Sequence, residues 1–261
     1  MALPKIEARI TVPTGGWDIS VQEYGPDAGP VTVNIPAGDY FPNSVAAGGT
    51  RSLNAELKYR LDLHATLAGT YSVTTDDTTD AATGQNTISA TGVTTFDITW
   101  TSTDFRDRMG YAATLTGALT YLAPEQAEYL FLCSCGNADP IYVRERDLTI
   151  THAPSGSTKA LSYNERRRER LTLVHLIGSR VRTSLETVTN ESLQTFWSAT
   201  VGQGIPIRFH TDRSDDTSTS YDTTWRVEAE SAKRFAPQRV TPHADGAKSL
   251  WTWSVDLVEL V

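Results

Sequence analysis

Few residues in this chain stand at spacings that could do chemistry. Cys133 and Cys135 lie two apart, which puts both thiols on one side of a strand. Two thiolates are half of a zinc site, and no neighbouring Cys or His pair completes the set. The plain reading is a pair of small buried hydrophobes. Asp76, Asp77 and Asp80, and again Asp212, Asp215 and Asp216, could gather a hard cation such as calcium. Neither run has the spacing of an EF-hand loop, and both read as solvated loop tips. His64, His152, His175, His210 and His243 sit in no HExxH or triad context, so they read as surface or satisfied structural residues. The Ala46-Ala-Gly-Gly49 loop lacks the Gly-Lys-Ser/Thr ending of a phosphate cradle and reads as a connector. Arg166, Arg167 and Arg168 could meet nucleic acid. Flanked by Glu165 and Glu169 in an acidic chain, they read instead as ion-pairing residues at a subunit interface. No nucleophile–base pair can be named, so the expectation is a non-enzyme with no metal and no cofactor.

The elements that must position these residues are mostly strands. The organising stretch runs from Asn164 to Thr211. Within it Leu193, Phe196, Trp197 and Val201 recur at i, i+3, i+4 and i+8, one face of a helix that must anchor on a sheet. Asn190 is the expected N-cap, and Gly202 and Gly204 supply the stop. Ile207-Arg-Phe209 then reads as a strand. Earlier, Val31, Val33 and Ile35 alternate with polar residues, and a helix is predicted from Ser52 to His64. Its Leu53, Leu57 and Leu61 face inward, and its Glu56, Lys58, Arg60 and Asp62 face water. Strands around Tyr71 and Val73, Ile88 and Ala90, and Phe96 and Ile98 complete a small antiparallel sheet under that helix. The last segment, with Trp251, Trp253, Val255 and Leu257 against polar neighbours, has the clearest period of two.

Gly136-Asn-Ala-Asp-Pro140 punctuates the chain. It divides a small α+β unit, residues 1–140, from a β-sandwich or split-barrel unit with one helix, residues 141–261. The fold class is therefore mainly β, in two domains. At 261 residues, 39% hydrophobic and 21% charged, the chain can bury a real core. Its formal net charge of −8 argues against a protein that grips nucleic acid. No apolar run reaches the ~20 residues of a membrane span, and the N-terminus lacks the apolar block of a signal peptide. The expectation is assembly in a cytoplasm.

Ile35-Pro-Ala-Gly-Asp-Tyr40, the helix after it, Phe96-Asp-Ile98 and Met109-Gly-Tyr111 resemble a module of many virion structural proteins. From Tyr142 to Val261 the chain is strand-rich, and the helix holding Phe196 and Trp197 precedes Ile207-Arg-Phe209. That layout is similar to the tail-tube and distal-tail (tail tip) family of long-tailed bacteriophages. Familiar distal-tail proteins place the tube-like domain first, whereas here it comes last. The resemblance implies a structural virion protein of the tail, a hexameric ring that continues the tube and links it to receptor-binding or baseplate parts. Its expected partners are further copies of itself, the tube, hub and tail-fibre proteins, and DNA that passes through without being read. A membrane is not among them. The alternative is a carbohydrate- or receptor-binding module, with Trp and Tyr side chains stacking on sugars.

Overall fold

The computed structural model describes residues 5–25, 29–43, 51–78, 82–132, 141–152, 158–177, 193–210, 224–228, 231, 234–242 and 249–260. The fold is mainly β, sandwich-like, with curled antiparallel sheets. The first half runs β1 (Lys5–Ala8), β2 (Ile10–Val12), β3 (Trp17–Tyr24), β4 (Val31–Ile35), β5 (Gly38–Tyr40) and α1 (Leu53–Leu63). It continues through β6 (Thr70–Thr75), β7 (Gln85–Thr91), β8 (Thr95–Trp100), α2 (Thr103–Arg108), β9 (Leu115–Ala118), β10 (Thr120–Gln126) and β11 (Leu130–Leu132). The second half holds β12 (Ile141–His152), β13 (Thr158–Ile177), α3 (Leu193–Ala199), β14 (Ile207–His210), β15 (Trp225–Val227), β16 (Gln238–Thr241) and β17 (Leu250–Glu259).

Helix α1 forms where the leucine spacing places it. The Ser52 hydroxyl caps it by accepting the Ala55 N–H at 3.2 Å, and Leu53, Leu57 and Leu61 are buried. One expectation needs correction: Glu56 is buried rather than wet. Two guanidiniums compensate its charge, Arg60 at 2.6 Å one turn later and Arg51 at 3.3 Å. A buried carboxylate needs such partners.

The strands after α1 do not form one small sheet. β7 pairs with β6 on one side and β10 on the other, whereas β8 joins β3, β4 and β9 in a four-stranded sheet. The turn at Gly92, with φ of 84°, lets the chain cross between them. Phe96 of β8 bridges the two layers, edge-on to Tyr71 of β6 at 5.5 Å and to Tyr121 of β10 at 5.0 Å. Helix α2 closes one end: Phe105 stacks on Trp17 at 5.1 Å, and Gly110 behind it has φ of 80°. A Cβ on Gly110 would stand 2.3 Å from the Glu125 carbonyl oxygen, so only glycine fits.

The largest sheet has eight strands in the order β11-β1-β14-β15-β17-β13-β12, with β16 also on β17. Its membership ignores the expected division at residue 140. β1 pairs with β11 on one side and β14 on the other, so strands from both halves share it. A single buried cluster runs from Ile6 to Leu257. Residues 133–140, where the boundary was expected, lie outside the described residues. β17 lies inside the sheet between β13 and β15.

Candidate functional site

The helix expected to organise the fold is a seam between the halves. α3 itself spans seven residues, and its expected cap, Asn190, lies outside the described residues. The α-helix stops at Ala199, and Val201 opens a 3-10 turn that ends at Gly204, with φ of 76°. Val201 is therefore not a fourth α-helical position, although it is as buried as Leu193, Phe196 and Trp197. Phe196 lies 5.9 Å from Phe131 of β11. Trp197 stands edge-on to Trp253 of β17 at 5.4 Å and 5.9 Å from Phe235. Two adjacent aromatics thus tie β11 of the first half to β17 of the second across their shared sheet. The Thr200 hydroxyl donates back to the Phe196 carbonyl, which fixes the helix end.

Arg166, Arg167 and Arg168 lie on β13 opposite Glu145, Arg144 and Val143 of β12. The side chains of Arg166 and Arg167 are outside what the structure describes. Arg168 is engaged within its own chain, with Nε 3.2 Å from a Glu228 oxygen. One turn of the pleat away, Arg170 donates to both Asp256 oxygens at 2.7 and 3.3 Å. That guanidinium holds the Asp256 carboxyl below its ordinary pKa, and Ser231 adds a further hydrogen bond.

A buried ionic cluster, not legible in the sequence, crosses β1 and β14. Lys5, Glu7, Arg208 and His210 are all buried, with Lys5 opposite His210 and Glu7 opposite Arg208. The Lys5 ammonium donates to Asp77 at 2.9 Å, and Asn43 donates to the same oxygen at 2.8 Å. Asp77 is accordingly a buried partner and not a solvated loop tip. Asp76 binds its own loop by accepting from the Thr83 amide and hydroxyl. The only sequence signal was charge at Lys5 and Glu7 on an alternating strand, which by itself reads as a wet face. Among the described residues, no three His, Cys, Asp or Glu side chains are placed to hold a metal. Cys133, Cys135, Asp80, the 212–216 aspartates and Ala46–Gly49 fall outside the described residues.

A polar cleft of about 460 Å³ opens beside α2, lined by Asp104, Asp107, Glu125, Glu128, Arg106 and Arg108. Arg106 pairs with Asp107 at 2.8 Å. Arg108 pairs with Glu128 and lies over the Tyr129 ring at 4.1 Å. The indoles are mostly interior: Trp197, Trp225 and Trp253 are 5%, 3% and 2% exposed, while Trp251 is half-buried. The exposed aromatic side chains among the described residues, Tyr24 and Tyr59, belong to different elements. No described helix is long and apolar enough to cross a membrane. Compared with protein-family models, curated proteins and solved structures, the chain matches none.

Proposed function

We propose that this chain is a structural protein of a long-tailed bacteriophage tail, one subunit of a ring at the tail tip that continues the tube. The observation that carries the proposal is the seam helix. The Leu-x-x-Phe-Trp helix lies on a large antiparallel sheet just before the Ile207-Arg-Phe209 strand, the layout on which the resemblance rests. Interior indoles support a scaffold over the alternative of a sugar-binding module, which needs a row of exposed aromatics to stack on. Ring contacts would be heterologous, each subunit using two different surfaces, and a suitable rotation closes them. Cryo-EM of intact particles tests this directly. The expected result is a hexameric ring of this chain at the tail tip, around the DNA channel. Isolated copies on the capsid, or absence from the particle, would defeat the proposal.

A further inference from the structure

The β12–β13 hairpin is longer than the sheet it belongs to. Its strands have 12 and 20 residues, beyond the usual range of 3–10. Of β13, residues from Arg168 onward pair with β17. The remainder, Thr158 to Arg167, pairs only with β12 among the described strands. The result is a two-stranded ribbon, Arg144–His152 against Thr158–Arg167, reaching roughly 30 Å past the last β17 pairing at the ordinary strand rise. Among the described strands β12 ends the sheet order, so its outer edge offers main-chain donors and acceptors to a further strand. A lone two-stranded hairpin is marginal in water, so a ribbon of this length calls for a support outside its own sheet.

Charge identifies the support. Residues 144–152 and 158–167, the ribbon itself, hold five Lys and Arg against three Asp and Glu, a balance of +2. Residues 1–140 hold seven against sixteen, a balance of −9. A basic arm and an acidic body on one chain are complementary between copies, and complementary fields both speed and orient encounter. We infer that this ribbon is a docking arm by which one copy grips the acidic N-terminal half of the next. The inference deepens the ring reading above by naming its contact, and it depends on self-association rather than on a place in a virion.

Val143 and Arg168 are direct cross-strand partners, so the arm can be pruned by joining them through Asn-Gly, a two-residue hairpin turn. Sedimentation of both purified chains is the first measurement. The intact chain is expected to assemble. The pruned chain is expected to stay monomeric to at least about tenfold higher concentration, with an unchanged unfolding transition. Added salt should weaken the intact assembly. The second measurement needs no pruned protein and so stands if that variant fails to fold. Lys159 is the hairpin's only lysine. Carbodiimide cross-linking of mixed isotope-labelled and unlabelled copies should join Lys159 to carboxylates within residues 1–140 of the other copy. Lys159→Arg should remove those links and leave assembly intact. A pruned chain that assembles as well as the parent would overturn the arm while leaving a ring possible by other contacts. Links confined to one copy, links falling in residues 178–261, or an intact chain that never associates would each overturn it too. So would loss of DNA binding, with assembly unchanged, on pruning. Absence from the particle, in contrast, would sink the tail reading and not the arm.

Discussion

Lys5 is a fully buried cation whose removal would strand carboxylate charge. It sits between Asp77 at 2.9 Å and Glu7 at 3.9 Å, all three buried. Breaking a buried pair from one side costs about 3–5 kcal/mol, because the remaining carboxylate is uncompensated. Lys5→Ala should therefore lower the denaturation midpoint sharply. The double variant Lys5→Met with Asp77→Asn should recover part of the loss, since it removes the closer pair together while Glu7 keeps its charge; no recovery at all would mean that the lysine acts through packing. Tyr71 provides a pH-dependent counterpart. Burial, then its hydroxyl's 2.8 Å hydrogen bond to Glu23, raises its pKa well above the ordinary value of about 10. The raised pKa in the folded state gives stability that is fully present below pH about 10 and erodes as the unfolded chain's tyrosines ionise above it. Unfolding at graded alkaline pH should show that erosion, and Tyr71→Phe should make the slope shallower. Glu23 would still accept the Ala68 and Gly69 amides at 2.8 and 2.9 Å, so the variant is expected to fold.

At the scale of elements, the seam helix and the turn behind α2 carry the sharpest expectations. Trp197→Ala removes an indole that packs on both Trp253 and Phe235, and should cost on the order of 3–5 kcal/mol. Ser198 on the exposed face of the same helix should tolerate alanine within about 0.5 kcal/mol. Equal effects in denaturant melts would mean that the buried face is misassigned. Gly110→Ala should destabilise by roughly 1–3 kcal/mol through its positive φ. The backbone oxygen of Glu125 in the way should prevent relaxation, whereas Gly117→Ala, with φ of 72° but open space around it, should lose only the conformational part.

The whole molecule behaves as its sheet membership dictates. Because β1 and β11 are hydrogen-bonded into the sheet of the second half and one buried cluster crosses between halves, denaturant unfolding should be a single cooperative transition. Residues 141–261 expressed alone would lack β1, and β14 would lose its neighbour on that side. That fragment should give a poorly dispersed amide spectrum, and adding residues 1–140 in trans should restore it. Two well-separated transitions, or a fragment that folds alone, would return the boundary to residue 140.

Local patterns in the sequence determined the elements themselves. Leucines every four residues behind Ser52 made α1. Alternation made β4, β6, β7, β14 and β17, and the Phe196–Trp197 pair marked the helix that must be buried. These signals are legible because they depend on neighbours within a few positions of the chain. The tertiary structure decided which strands are neighbours. It sent β8 to a different sheet from β7, drew β1 into the second half's sheet, placed β17 inside rather than at an edge, and buried Glu56, Asp77 and the Lys5–Glu7 pair. A residue's charge fixes that it needs a partner, but the partner can lie far along the chain, 72 positions away for Lys5 and Asp77 and 86 for Arg170 and Asp256. Pairing between distant strands depends on the joint shape of all the layers, and no periodicity within one segment encodes it.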